Sequence, residues 1–150
     1  MLFGGIVTLE CLGDKPGPRW LDANPANGTV SLIKTESKVT SRWRVHHDVL
    51  HEVSVILLES VNAAQGNHWL DGLTAQHAVQ LAPVTDKPYT GTRWRVHADP
   101  QQQPDVFVFE CLGNVPGYRW LDGLTQSGGV QLAPSTTIPP YTGTRWKIHG

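Results

Sequence analysis

Three carboxylates, Asp22, Asp71 and Asp122, each follow a Trp-Leu pair and lead into a hairpin turn. Leu21, Leu70 and Leu121 are expected to point inward, which turns each neighbouring Asp outward. A carboxylate so placed can accept charge-assisted hydrogen bonds from two adjacent hydroxyls of a ligand. It can equally cap its own hairpin by accepting backbone N–H groups, as Asx turns do. A second acidic set, Glu10, Glu59 and Glu110, recurs at the same intervals and offers carboxylate pairs, the minimum for glycoside hydrolysis. That reaction needs two carboxyls in unlike surroundings, whereas a repeat supplies like ones. No Ser/His/Asp or Cys/His arrangement and no phosphate loop stands out. The pattern points to a binder and not to an enzyme, and it implies no cofactor.

Seven histidines raise the question of a metal. His46, His97 and His149 occupy one place in the repeat, and three imidazoles with an open position would suit zinc. No local run has metal-ligand spacing, and these positions alternate outward from Trp and Val, so solvated strand ends are the expectation and no metal is assigned. His68 stands where the other copies have Arg19 and Arg119. A basic group there could pair with its Asp neighbour or donate to a ligand.

The elements that must position these groups come in three copies. From Trp20 to Trp69 to Trp120 the steps are 49 and 51 residues, and from Trp43 to Trp94 to Trp146 they are 51 and 52. Copies two and three share W-L-D-G-L-T, V-Q-L-A-P and Y-T-G-T-R-W almost letter for letter. Copy one is more diverged, with R-W-L-D, V-S-L and S-R-W-R-V-H. Self-similarity at a fixed period is the first organising signal in such a chain. Within each copy, apolar residues alternate over four short runs: Val7, Leu9 and Cys11, or Val53, Val55 and Leu57, show the period of a half-buried strand. Asn27-Gly28 supplies the positive φ of a tight hairpin, and no eleven-residue stretch has helical periodicity. Twelve strands in three repeats, about residues 1–47, 48–98 and 99–150 of a single domain, predict an all-β chain. The expected architecture is a β-trefoil with pseudo-threefold symmetry: a six-stranded barrel from the first and fourth strands of each copy, capped by three hairpins.

The bulk properties agree. A chain of 150 residues buries roughly 70% of its unfolded surface on folding, enough for a core without disulfides. Net charge is −1 and only 17% of residues are charged, so there is no basic footprint for nucleic acid. No long apolar run predicts membrane insertion and no signal peptide is visible. Cytoplasmic residence is the default expectation, or secretion without a visible signal. Cys11 and Cys111 hold equivalent positions, where copy two has Ser60, and read as small buried hydrophobes.

The order Trp-Leu-Asp, Val-Gln-Leu, Thr/Ser-Arg-Trp resembles the repeat of ricin-type B-chain lectins and neighbouring carbohydrate-binding β-trefoils, over nearly the whole chain. The resemblance implies a lectin with up to three shallow sugar sites, galactose-type sugars being the first guess among glycan partners. It matches the sugar-hydroxyl acceptor to Asp22, Asp71 and Asp122, and the polar third-strand residue to Ser31, Gln80 and Gln131. The family's stacking aromatic is replaced by Ile33, Ala82 and Ala133, and its closing Gln by Ser41, Thr92 and Thr144. Stacking rings must then come from Tyr89 and Tyr141, or from Trp20, Trp69 and Trp120, with His68 and Arg119 as polar helpers. The alternative for the tryptophans is to cover the hairpins. Lys38 at the Tyr position predicts a weakened first site. Two other functions stay open: a protease inhibitor using one exposed loop (Asn24 to Asn27, Asp99 to Asp105 or Ser135 to Pro140), and a protein-binding scaffold. A homodimer is left open.

Overall fold

The alternation read from the sequence resolves into twelve strands in a computed structural model that describes residues 5–48, 54–62, 66–136 and 140–150. They are β1 Gly5–Cys11, β2 Trp20–Asn24, β3 Thr29–Ile33, β4 Trp43–His47, β5 Val55–Ser60, β6 Trp69–Leu73, β7 Ala78–Ala82, β8 Trp94–Ala98, β9 Val106–Cys111, β10 Trp120–Leu124, β11 Gly129–Ala133 and β12 Trp146–His149. No helix occurs among the described residues. Val53 and residues 137–139 of the third candidate loop lie outside them.

The β-trefoil expectation is corrected by the strand pairing. All twelve strands join one hydrogen-bonded sheet. It closes as a nine-stranded barrel through β1, β4, β5, β6, β7, β11, β10, β9 and β12, with β2, β3 and β8 as three further strands. The hairpins β6–β7 and β10–β11 are not separate caps, because Ala78 bridges Gln131 and ties them edge to edge into the ring. The β2–β3 hairpin stays outside it, bonded to β1 where Glu10 meets Trp20. β8 pairs with β5 and β9. The repeated four-strand plan is present, but its three copies are not wired equivalently.

Core and hairpins follow the sequence closely. Trp43, Trp94 and Trp146 are each 0% exposed, and each indole N–H donates to the carbonyl of Leu21, Leu70 or Leu121 at 3.0–3.1 Å. A buried indole needs such a partner, and this bond fixes the closing Trp of each copy against its Trp-Leu-Asp strand. Gly28 and Gly128 turn their hairpins at φ 72° and 89°. In the second copy His77 takes that conformation at φ 59°, and its ring stacks on Tyr118 at 3.7 Å and 7°. Cys11 and Cys111 are free and buried, and burial pushes their thiols up to about 12 and about 11.

Two ion pairs tie the start of a copy to its closing strand. Arg145 forks onto Asp99 with Nε–Oδ1 and Nη2–Oδ2 both 2.8 Å, and Arg93 Nε donates to Asp48 at 2.8 Å. Asp99 opens one of the stretches expected as an exposed loop. It is instead 4% exposed, and the Arg145 bonds lower its carboxyl to about 2. The signal was present: an Asp stands at the same short distance after Trp-Arg-Val-His in copies one and two.

Candidate functional site

In repeat two, Asp71 on β6 lies opposite Gln80 on β7. The Gln80 amide donates to Asp71 Oδ2 at 2.8 Å. Repeat three reproduces this with Gln131 and Asp122 at 2.8 Å, and there the Gly143 N–H also donates to Asp122 Oδ1 at 3.1 Å. Asp71 Oδ1 sits beside Gly91 but closes no hydrogen bond of normal geometry. Both aspartates are 1% exposed, which corrects the outward placement expected from strand alternation. The cause is the closing segment. Gly91 crosses Gly72 so tightly that the Gly72 N–H donates to the Gly91 carbonyl at 2.9 Å. A β-carbon on Gly91 would fall 1.9 Å from the Gly72 oxygen. Gly143 crosses Gly123 in the same way. The Gly of Thr-Gly-Thr is therefore a crossing requirement, and the crossing covers the Asp-bearing face of the hairpin. Burial raises both carboxyls above 3.8, with the Gln amides and then the glycine N–H groups pulling them back.

Each buried carboxylate floors a cleft. The first, about 260 Å³, is walled by Asp71, Thr74, Gln80, Tyr89, Thr90 and, from the next repeat, Asn114 and Val115. The second, about 310 Å³, is walled by Asp122, Thr125, Ser127, Thr142 and, from the first repeat, Asp14 and Lys15. Each cleft thus takes one rim from a neighbouring repeat. The Thr74 hydroxyl donates to the Val115 carbonyl and clamps that rim. Behind each carboxylate lies a cysteine of that same neighbour: Cys111 Sγ is 3.5 Å from the Gly91 carbonyl and Cys11 Sγ is 3.4 Å from that of Gly143.

The other expected site residues divide. Tyr89 and Gln80 line the first cleft, whereas Tyr141 and Gln131 do not line the second. Trp69 and Trp120 line neither. They pack half-buried against His46 and His97, ring centroids 5.1 and 5.2 Å apart, as Trp20 does against His149. These histidines bond the recurring glutamates: His46–Glu59 at 2.9 Å, His97–Glu110 and His149–Glu10 at 3.0 Å. The Glu set therefore pairs with His and not with Asp, and the imidazoles are not merely solvated strand ends. Among the described residues no three His, Cys, Asp or Glu side chains group as metal ligands would.

Arg119 does not face its Asp neighbour either. Its guanidinium donates to the carbonyls of Cys111, Gly113 and Val115 at 2.8–3.3 Å, pinning the turn that rims the first cleft. Arg19 does the same for the turn carrying Asp14 and Lys15. His68 bonds the Gly66 carbonyl at 2.6 Å and approaches Glu59 at 3.4 Å. In repeat one, Asp22 faces Ser31 in register, and no hydrogen bond joins the two among the described residues. Burial raises Asp22, with the Thr40 hydroxyl opposing, and its Oδ1 has no partner.

No protein-family model and no characterised protein sequence matches this chain. Among solved structures it is similar to one described as SeviL bound to asialo-GM1 saccharide. The TM-score is 0.65 over 97% of this chain and 96% of that one, at 11% identity. At that identity the likeness is one of fold.

Proposed function

We propose that this chain is a non-catalytic carbohydrate-binding protein whose sugar sites are the clefts over Asp71 and Asp122. The observation that carries the reading is the built acceptor at the floor of each cleft. A carboxylate with one oxygen held by a Gln amide is fixed in orientation and keeps lone pairs for ligand hydroxyls. A cavity of this size is at or below the small end of ligand pockets and suits a single sugar ring, with Tyr89 offering an apolar face in the first cleft. The structure whose fold this chain shares belongs to a protein described as bound to a saccharide, which supports the same class of ligand. Two weak sites on one body would gain avidity on clustered glycans. Galactose-type sugars, suggested by the ricin-type pattern, are the first to test.

The test is a broad glycan array probed with the wild-type chain and with Asp71→Asn, Asp122→Asn and the double variant, folding being followed by tryptophan fluorescence. Stepwise loss of binding with folding intact is expected. Binding untouched in the double variant would overturn the assignment to these clefts. Failure to bind any glycan would overturn the carbohydrate reading and shift attention to proteases and protein partners.

A further inference from the structure

The two clefts share a floor but not a rim, and the rim is where they have opposite hydrogen-bonding character. In the first cleft the Thr90 hydroxyl accepts from the Asn114 backbone N–H at 3.3 Å and donates to Asn114 Oδ1 at 2.9 Å. With the hydroxyl proton on the amide oxygen, the Asn114 NH₂ is left as a donor. Beside it Val115 is 47% exposed, and its carbonyl is held by Thr74 and Arg119. The rim therefore presents an N–H donor next to a small apolar surface. In the second cleft the Thr142 hydroxyl donates to Asp14 Oδ1 at 2.7 Å. What remains there is a carboxylate oxygen, an acceptor, next to the ammonium of Lys15.

We infer, building on the carbohydrate reading, that the turn lent by the neighbouring repeat sets ligand class, and that the first cleft selects a sugar carrying an N-acetyl group. An acetamido substituent has a carbonyl to accept from the Asn114 NH₂ and a methyl to bury against Val115. At the second cleft the same carbonyl would face the Asp14 carboxylate, acceptor against acceptor, and the methyl would face an ammonium. A site built to hydrogen-bond one polar group rejects the analogue that leaves it unpaired. The second cleft is accordingly assigned to a non-acetylated sugar.

Calorimetric titration with N-acetylgalactosamine, N-acetylglucosamine, galactose and glucose tests this, using the wild-type chain and two turn exchanges. Asn114→Asp with Val115→Lys gives the first cleft the rim of the second. Asp14→Asn with Lys15→Val does the converse. Both exchanges place on an exposed turn residues its counterpart already carries, so the fold is preserved. The wild type is expected to bind an N-acetyl sugar at one site, about tenfold or more tighter than its parent hexose, the effect of one good hydrogen bond to a polar rim. The first exchange removes that preference while parent-hexose binding persists, and the second raises the N-acetyl stoichiometry from one to two. Equal wild-type affinity for acetylated and parent sugars, or a preference that survives the first exchange, overturns this inference and leaves the carbohydrate reading standing. No binding of any of the four sugars, in a protein that also fails on the glycan array, overturns both.

Discussion

Asp22 and Asp71 hold the same place in the same kind of hairpin, yet of the two it is Asp71 that floors one of the clefts found among the described residues. The difference reduces to two positions beside them. Where repeat two has Gly72 crossed by Gly91, repeat one has Ala23 crossed by Thr40, with the equivalent backbone bond intact at 3.0 Å against 2.9 Å. A β-carbon on Gly91 would lie 3.0 Å from Asp71 Oδ1, so the residue at this position decides what covers the carboxylate. In repeat one the Thr40 hydroxyl opposes the rise in the Asp22 carboxyl, and Asp22 is half-buried where Asp71 is fully buried. The second difference is the partner strand, where exposed Ser31 replaces the Gln that fixes Asp71 and Asp122. The comparison teaches that a glycine crossing and an opposing Gln go together with a carboxylate held at a cleft floor, whereas Asp22, crossed by Thr40 and facing Ser31, is half-buried and held by no Gln.

The strongest way to break that comparison is to give repeat two the crossing residue of repeat one. Gly91→Thr is expected to abolish binding in the first cleft. Because its β-carbon would collide with the Gly72 backbone oxygen, it should also cost about 1–3 kcal/mol of stability, as overpacking does. Sugar titration and urea unfolding measure the two effects separately, and retained binding at full stoichiometry would remove Gly91 as the gate. Next in size is Asp71→Asn, expected to weaken the first cleft roughly 10- to 100-fold, the worth of a charged hydrogen bond, while Asp22→Asn leaves total binding unchanged. Equal losses from the two variants would mean that repeat one binds after all.

Much of this was legible in the sequence, and the failures are local. The Trp–Trp intervals place the repeats, and period-2 alternation places all three core tryptophans, because both report burial directly. Closure of the sheet was not legible. It depends on Ala78 meeting Gln131, a contact between two hairpin edges whose residues are ordinary strand formers. The repeat singles out Asp71 and Asp122 as candidate carboxylates but predicts them exposed, and the structure buries both. Alternation assumes that one face of a strand meets water, and here a crossing segment covers it. Arg119 and Trp120 sit near the candidate Asp in sequence and away from it in space, because Arg119 is spent on the carbonyls of its own turn and Trp120 packs on His97. The rim residues Asn114 and Val115 were missed altogether, because they belong to another repeat and no local pattern marks them.

Acid titration sharpens the comparison with a moderate effect, since the site carboxyls and Asp99 move in opposite directions. Asp99 ionises at about 2 when folded. Its stabilisation is present above its ordinary 3.8 and is lost as pH falls from there toward 2. Asp71 and Asp122 are raised above 3.8, so the folded state holds their protons more tightly than the unfolded one. Their contribution is fully present below 3.8 and declines as pH rises through their folded values. Urea midpoints followed from about pH 2 to pH 6 should lose the low-pH decline in Asp99→Asn, and lose the opposing slope in Asp71→Asn with Asp122→Asn. Sugar binding should fall on acidification with a midpoint above 3.8, because a protonated acid gives up an acceptor. A midpoint at or below 3.8 would separate binding from these two groups.

The smallest expected effect tests whether crossing residue and solvent access are the same thing. Thr40→Gly removes the Thr40 side chain beside Asp22 without supplying a Gln or a Tyr, because Ser31 and Lys38 remain. No strong sugar site should appear, but the Asp22 carboxyl should shift. Two influences then compete: water reaching the group lowers it toward 3.8, and loss of the Thr40 hydroxyl raises it. Burial is the larger influence on Asp22 in the intact protein, so the net movement is expected downward in a carboxyl-carbon NMR titration. An upward shift would mean that Thr40 acts through its hydroxyl, and the silence of repeat one would then rest on Ser31 and Lys38 instead of on the crossing.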